Sequence, residues 1–229
     1  LGPCDGDWSL WLTDRDTLQM AGSSLIAVLE LLFDQLPDLH ITLVCRGGWD
    51  QSTGKLLSYV THSADPTDAQ DHVLDTSPPA ASVFKIVTGS ALIDQGIRPE
   101  NNVCYHGGAS QLTLGELTDN PKLDTACISL SGALGFSVNA VFGKLALKHL
   151  DVPKLTRYAG AFGFGESLPF EAKAEVRAMD IPSEPVEFAR TAAGFWHMHM
   201  SPLRGALIAA TVANQGRMMR PQIVERIVD

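Results

Sequence analysis

The sequence predicts a protein of the α+β class, in which strands and helices are concentrated in different parts of the chain. Two observations lead to this class. Strand-like runs bounded by turn residues, with one helical pattern between them, occupy the first sixty or so residues. Apolar residues at helical spacing, with proline and glycine at the boundaries, are the commonest pattern from Ser82 onward.

The amino-terminal part carries most of the predicted strands. Trp8–Thr13 is strand-like, and Asp16–Phe33 has apolar residues at helical spacing, which predicts an amphipathic helix. A hairpin is predicted over Ile41–Val60, because two strand-like runs flank a turn that contains Gly54. Residues 62–79 are polar and are predicted to form a loop.

The remainder of the chain is predicted to be mainly helical. The helix that starts near Ser82 ends at Gly96, a residue type that is favoured just after a helix. Pro is favoured in the first turn of a helix. The other predictions are an irregular stretch over 101–122, helices over Leu123–Leu134 and Asn139–Leu150, a long loop region that contains Gly163 and Pro185, a helix within 191–213 that begins near Pro202, and strand character over Met219–Val228.

Composition places the chain among globular proteins. Hydrophobic residues make up 45% and charged residues 19% of the 229 residues, which is ordinary for a chain with a buried core. The formal net charge of −9 argues against a nucleic-acid partner. No apolar run approaches the length of a membrane span. Because the chain begins at Leu1, we expect an upstream segment such as a signal or anchor.

Metal and cofactor binding are not indicated. The cysteines have no Cys-x-x-Cys spacing, which argues against a zinc site, and they allow two disulfides in three connectivities or four buried thiols. His197 and His199 could form a metal pair, but no carboxylate or thiol has a suggestive spacing to them. We predict no metal and no cofactor. The four cysteines are Cys4, Cys45, Cys104 and Cys127.

Ser82 and Lys85 are the first candidate catalytic pair. Ser82 lies at the start of an apolar helix, and Lys85 follows one turn later on the same face. A buried lysine has a lowered pKa, and a neutral amine can take the proton of a serine hydroxyl to create a nucleophile. The alternative is that Ser82 only caps the helix and that Lys85 extends to solvent.

A second Ser-x-x-Lys match acts as an internal control. Ser52 and Lys55 lie between the two strand-like runs of the predicted hairpin, with Gly54 at the turn. We therefore interpret Ser52 and Lys55 as solvated loop residues, so that context rather than pattern separates the two matches.

Ser137 and Asn139 are the second candidate pair. They are two residues apart at the start of a predicted helix, so both side chains can point into one cleft. Serine and asparagine are also favoured helix caps, and capping is the alternative interpretation.

Together these motifs resemble the transpeptidase domain of penicillin-binding proteins. Ser82-Val-Phe-Lys85 and Ser137-Val-Asn139 correspond to two of the three motifs of that superfamily. The resemblance covers nearly the whole chain, in order and spacing. Its further segments are Thr13–Gln19, Asp50–Leu57, Phe162–Gly165, Ser201–Leu203, Ala213–Gly216 and Pro221.

The resemblance implies a serine β-lactamase/D,D-transpeptidase-like fold, with an antiparallel sheet flanked by helices and a helical lobe. It also implies that Ser82 attacks a D-Ala-D-Ala stem peptide or a β-lactam, with Lys85 as the general base. Ser137 would relay the proton to the leaving amine, and Asn139 would bind the substrate amide. The implied partners are the peptidoglycan stem peptide and β-lactam antibiotics.

The resemblance has one large departure, because the Lys-Thr-Gly motif of the family is absent from the 229 residues. We therefore expect residues 1–229 to be one transpeptidase domain that is truncated before its third motif. In the family that motif lies on a strand beside the cleft and supplies an oxyanion N–H. Since loss of one such donor costs about 10²–10³ in rate, we expect this chain alone to acylate poorly.

The resemblance also implies a periplasmic or otherwise extracytoplasmic location, with the membrane reached only through an anchor outside this chain. Disulfides persist there, and we predict a Cys104–Cys127 disulfide, with free buried thiols as the alternative. Two other functions stay open: a serine β-lactamase, and a sensor or pseudoenzyme that binds a ligand without turnover.

Overall fold

The computed structural model describes residues 7–12, 18–21, 40–45, 49–50, 52–56, 59–63, 67, 70–108, 111–172 and 175–224. These residues divide into two compact units. The first unit draws on residues 1–78, 167–175 and 200–229, and the second unit on residues 79–166 and 176–199. No helix in the described ranges is both long and apolar enough to cross a membrane.

The first unit contains an antiparallel sheet of four strands in the order β2-β1-β3-β6. Register is set by pairs such as Trp8 with Met20 and Leu10 with Leu43. The two-stranded ribbon β4-β5 lies between β3 and β6 in the sequence. The strands are β1 (Asp7–Leu12), β2 (Leu18–Ala21), β3 (His40–Cys45), β4 (Trp49–Asp50), β5 (Lys55–Leu56) and β6 (Val60–Ser63).

The predicted hairpin is confirmed in part, because β3 pairs with β6 in antiparallel fashion, but the turn at Gly54 joins β4 to β5 and most of β6 lies beyond the predicted end at Val60. The predicted strand Trp8–Thr13 is likewise found, as β1. The predicted helix Asp16–Phe33 is wrong where the structure describes it, since Leu18–Ala21 is a strand. Pairing with β1 satisfies the backbone of this short stretch, so tertiary context overrides the helical spacing. Residues 16–17 and 22–33 lie outside the described residues.

Helix α7 (Pro202–Ala213) belongs to the first unit. The helix begins at Pro202 as predicted, because Ser201 accepts a hydrogen bond from the N–H of Arg204 and so caps it. Its leucines pack into the core of the unit, next to partly buried Tyr59, Phe170 and Met218. That core consists of Leu56, Val73, Leu74, Leu168, Leu203 and Leu207.

Gly54 joins the ribbon to the carboxyl-terminal segment of the same unit. The Gln222 N–H donates to Gly54 O at 3.0 Å, and Leu56 N–H donates to Gln222 O at 2.8 Å. A strand was predicted over Met219–Val228. In its described part the structure has only one isolated parallel bridge, between Gln222 and Lys55. Residues 225–228 lie outside the described ranges.

Gly54→Ala is expected to destabilise the first unit by about 2–3 kcal/mol. Gly54 has a φ of 82°, and a Cβ there would lie 2.9 Å from the Arg220 carbonyl carbon and would overlap its oxygen. Gly216→Ala is the matched control, because Gly216 has a φ of 86° and open space around it. Denaturant unfolding should show that the control loses about 1 kcal/mol of unfolding free energy. Equal losses for both variants would contradict this account of Gly54.

The second unit is built around helix α1, which is buried on several faces and packs against α4, α5 and α6. A 3₁₀ turn, Ala81–Val83, leads into it, and Gly96 follows its end in the left-handed conformation, as predicted. The helices are α1 (Phe84–Asp94), α2 (Leu114–Leu117), α3 (Leu130–Gly135), α4 (Asn139–His149), α5 (Val152–Ala161), α6 (Pro185–Ala193) and, in the first unit, α7 (Pro202–Ala213).

Several predictions for the second unit differ from the structure. The predicted helix Leu123–Leu134 is wrong in its first part, because the stretch contains strand β8 (Ala126–Ser129), and only α3 follows the prediction. Strand β8 pairs with β7 (Asn102–Tyr105), which lies in a stretch predicted to be irregular. Helix α5 was not predicted, and α6 begins at the end of a predicted loop region.

Candidate active site

Ser82 lies on an exposed turn immediately before α1. No side chain caps the start of either the 3₁₀ turn or α1, so Ser82 does not act as the helix cap that the alternative interpretation required. Its Oγ instead lies 2.6 Å from Ser137 Oγ and accepts a hydrogen bond from Lys85 Nζ at 2.9 Å. The hydroxyl is therefore both accessible and held in place.

Lys85 lies one helical turn from Ser82 and is almost completely buried, with 1% of its surface exposed. It does not extend to solvent, so that alternative does not hold. Burial lowers the pKa of Lys85 from 10.5 to about 8, because the interior solvates an ammonium poorly. A lysine with this pKa is partly neutral near physiological pH, which is the protonation state that a general base requires.

Ser137 reaches the pair from the segment between α3 and α4. Its hydroxyl accepts from Lys85 Nζ at 3.2 Å, in addition to its contact with Ser82. The residue has a φ of 55°, in the left-handed region. Two backbone hydrogen bonds hold the turn, from Ser137 N–H to Leu134 O at 3.1 Å and from Val138 N–H to Ala133 O at 2.8 Å.

Asn139 is the first residue of α4 and is half-buried. Val138 takes the position before the helix, and no side-chain hydrogen bond caps it. The structure thus brings Ser82, Lys85 and Ser137 into mutual hydrogen-bond contact, with Asn139 two residues beyond Ser137.

A main-chain carbonyl that was not predicted from the sequence holds the far side of the Lys85 amine. Lys85 Nζ donates to the Ala193 carbonyl at 2.7 Å, and the Phe142 ring centroid lies 5.9 Å from the nitrogen. The sequence does mark the ends of α6, because proline is favoured in the first turn of a helix and glycine just after its last residue, where Pro185 and Gly194 lie.

The other candidate residues do not join this cluster. Ser52 is exposed in a turn of the first unit, while Lys55 is half-buried in β5 rather than in a loop as predicted. His197 Nε2 lies 2.6 Å from Glu187 Oε2, and His199 pairs with Pro79 through the backbone. Within the described ranges, no group of three or more His, Cys, Asp or Glu side chains could hold a metal ion.

A disulfide joins Cys104 in β7 to Cys127 in β8, which is the pairing predicted from the sequence. Beside it, Lys144 Nζ donates to Asp124 Oδ2 at 2.6 Å and to the Cys104 carbonyl at 3.4 Å. Hydrogen bonds from Lys144 and His106 hold the pKa of the Asp124 carboxyl well below its usual range. Strand β8 leads directly into α3 and the Ser137 turn.

Reducing this disulfide is expected to lower the free energy of unfolding by about 3 kcal/mol, as expected for a closed loop of this length. The measurement is denaturant unfolding of the protein with and without reductant. The Cys104→Ser/Cys127→Ser double variant should match the reduced protein and should not respond to reductant. A reduced protein as stable as the oxidised one would contradict the expected contribution.

A model of the family described as the penicillin binding protein transpeptidase domain matches residues 49–229. The match covers well over half of the chain and confirms the resemblance found in the sequence. The chain therefore belongs to the penicillin-binding protein transpeptidase family.

Two relatives are named peptidoglycan D,D-transpeptidase PbpA. The protein of Mycolicibacterium smegmatis is 28% identical, over 80% of this chain and 44% of its own length. The protein of Mycobacterium tuberculosis strain H37Rv is 27% identical, over 79% of this chain and 43% of its own length. The chain thus spans less than half the length of the curated relatives it matches.

Solved structures with the same fold include penicillin-binding proteins from two bacteria. PBPA from M. tuberculosis has a TM-score of 0.61 at 19% identity, over 96% of this chain and 52% of that chain. Its imipenem acyl-enzyme complex has a TM-score of 0.56 at 22% identity, over 97% of this chain and 49% of that chain. PBP2 from Helicobacter pylori has a TM-score of 0.62 at 15% identity, over 93% of this chain and 48% of that chain. These likenesses confirm the α+β fold of the family.

Proposed function

We propose that this chain is the acylating part of a serine D,D-transpeptidase that cross-links peptidoglycan stem peptides. The observation that carries the proposal is the hydrogen-bonded set of Ser82, Lys85 and Ser137, in which a nucleophile, a desolvated amine and a second hydroxyl lie within 3.2 Å of one another. The relatives named as D,D-transpeptidases support the same activity.

The first half-reaction acylates Ser82. Neutral Lys85 takes the hydroxyl proton, and Ser82 Oγ attacks the carbonyl carbon of the D-Ala-D-Ala peptide bond. The Ser82 N–H donates to the oxyanion that forms. Ser137 then passes a proton to the leaving nitrogen while its own proton is replaced from Lys85. The C–N bond breaks, D-alanine leaves as an amine, and an ester on Ser82 remains.

The second half-reaction transfers the acyl group to an acceptor amine. The amine attacks the ester carbonyl, loses a proton to Lys85 through Ser137, and forms the new peptide bond as Ser82 regains its hydroxyl proton. We assign binding of the substrate amide to Asn139, which starts α4 beside the Ser137 turn. A β-lactam would acylate Ser82 by the same first step, with its ring amide in place of the peptide bond.

The substrate determines the location that we propose. Peptidoglycan stem peptides are cross-linked outside the cytoplasmic membrane, and the Cys104–Cys127 disulfide suits an oxidising, extracytoplasmic compartment. We propose no cofactor, since the three side chains supply the nucleophile, the base and the proton relay.

The test is intact-mass analysis of the protein at its full encoded length, before and after incubation with penicillin G. A lasting increase by the mass of the antibiotic, located on the peptide that contains Ser82 and absent in Ser82→Ala, is the expected result. Rapid loss of the adduct would favour a β-lactamase instead. No adduct, or an adduct on Ser52, would overturn the proposal. Release of D-alanine from a stem pentapeptide in the presence of an acceptor amine then separates a transpeptidase from a sensor.

A further inference from the structure

The chain from Ala192 to His199 passes the nucleophile turn and contacts it on both sides of Ser82. After the turn, Thr88 Oγ1 donates to Ala192 O at 2.7 Å, one helical turn beyond the Lys85 contact with Ala193 O. Before the turn, the Ala80 N–H donates to the Met198 carbonyl at 2.6 Å. The end of α6 and the residues after it therefore hold the turn at several points.

The Ala193 carbonyl restricts how the Lys85 amine can orient. A carbonyl oxygen only accepts hydrogen bonds, so it takes one N–H of the amine in either protonation state. A neutral amine keeps one further N–H and one lone pair, which face the hydroxyls of Ser82 and Ser137 at 2.9 and 3.2 Å. With one N–H fixed at Ala193, the lone pair is confined to the side of the amine that faces the two hydroxyls.

Gly194 supports the peptide bond that precedes Ser82. It ends α6 with a φ of 90°, and a Cβ at this position would lie 2.6 Å from the Ala81 carbonyl carbon and 3.3 Å from Ser82 N. It would also overlap the Ala81 oxygen, so only glycine fits here. Ala81 has a φ of 46°, a conformation that costs a non-glycine residue energy and persists only where neighbours enforce it.

We propose that Ala193 and Gly194 are positioning residues for acylation: the Ala193 carbonyl orients the Lys85 amine, and Gly194 lets α6 support the Ala81–Ser82 peptide. This proposal rests on the proposed function, because it concerns the same nucleophile and base. Neither residue carries a functional side chain, and each acts on the reacting atoms through Lys85 or Ser82.

The experiment compares Gly194→Ala with Gly96→Ala in the protein at its full encoded length. Gly96 has a φ of 86° in the same unit with nothing within 4 Å, so its variant carries the backbone strain without the overlap. Stopped-flow acylation by a fluorescent penicillin separates binding from the rate constant of acylation. Misplacement of the reacting groups should lower that rate constant at least about 10²-fold in Gly194→Ala and leave binding unchanged. Gly96→Ala should keep the wild-type rate constant.

A merely structural role gives a different result. Partial misfolding lowers the fraction of protein that takes up label but not the rate constant of the fraction that remains. Such a result, or a wild-type rate constant in Gly194→Ala, would overturn the proposal. The Ala81→Gly/Gly194→Ala double variant should recover part of the rate, because glycine at position 81 lets the turn yield.

A milder variant covers the case in which Gly194→Ala does not fold. Thr88→Val keeps the shape of the side chain but removes the bond to Ala192 O, and we expect a roughly fivefold lower acylation rate constant. An unchanged rate constant in Thr88→Val would overturn the proposal. If the wild-type protein itself takes up no penicillin, the proposed function fails instead, so the two failures are distinguishable.

Discussion

Lys85→Ala is expected to slow acylation of Ser82 by a β-lactam at least about 10³-fold, because general-base catalysis typically contributes 10²–10⁴. Lys85 is the amine within hydrogen-bond reach of both hydroxyls, at 2.9 Å from Ser82 and 3.2 Å from Ser137. Without Lys85, Ser82 loses the amine that contacts its Oγ. The second-order acylation rate, measured with a fluorescent penicillin, gives the size of the effect.

Lys55→Ala is the matched control, since it removes the lysine of the other Ser-x-x-Lys sequence. Lys55 lies in β5 of the first unit, in a different structural context from Lys85. We expect its variant to acylate at the wild-type rate. Rapid acylation of Lys85→Ala, or a large loss in Lys55→Ala, would show that the base has been assigned to the wrong lysine.

The pH dependence of both rate and stability should reveal the lowered pKa of Lys85. Below about pH 8, the pKa of Lys85 in the folded protein, the neutral fraction falls, so the acylation rate should fall about tenfold per pH unit. The unfolded chain keeps the ordinary lysine pKa of 10.5 and so binds more protons between pH 8 and 10.5. Stability from this group therefore increases with pH across that window and is lost as pH falls through it.

The size of the stability effect follows from the difference between the two pKa values. A decrease from 10.5 to about 8 corresponds to about 3 kcal/mol. Lys85→Met is the reference, because it removes this titration and leaves the other groups in place. Between pH 8 and 10.5, wild type should gain up to that amount relative to Lys85→Met in denaturant unfolding. A constant difference across the window would contradict the lowered pKa.

The parts of the structure that depend on local sequence could be predicted. Ser82 and Lys85 are three residues apart on an apolar helix, so their proximity follows from helix geometry alone. The turn at Gly54 and the start of α7 at Pro202 likewise follow from residues next to one another in the chain.

Elements whose stability depends on distant partners were the ones mistaken or missed. Strand β8 was wrongly predicted to be helical. It is stabilised by pairing with β7, which lies some twenty residues earlier and is not visible in the local pattern. Helix α6 buries mainly alanines and begins at Pro185, a residue that marks both loops and helix starts. Helix α5 buries only Leu155 and Ala159, which leaves too weak an apolar pattern to recognise.

The candidate site shows the same division. Ser137 lies 55 residues from Ser82 in the sequence. Its spacing to Asn139 at a helix start made it a candidate, but only the motif resemblance paired it with Ser82. The role we propose for Ala193 depends on a main-chain oxygen, which leaves no trace in side-chain chemistry. Gly194 is recognisable in the sequence as the residue after a helix, but its contact with Ala81 requires the three-dimensional structure.

The left-handed backbone of Ser137 limits which residues evolution can place there. The proposed proton relay requires a hydroxyl beside Ser82. Threonine also supplies one, but a β-branched side chain is strongly disfavoured at a φ of 55°. Glycine and asparagine accept that backbone but carry no hydroxyl. Among the genetically encoded residues, serine alone combines a small aliphatic hydroxyl with tolerance of this turn, so a variant that escapes a β-lactam by altering position 137 would also lose the proposed proton relay.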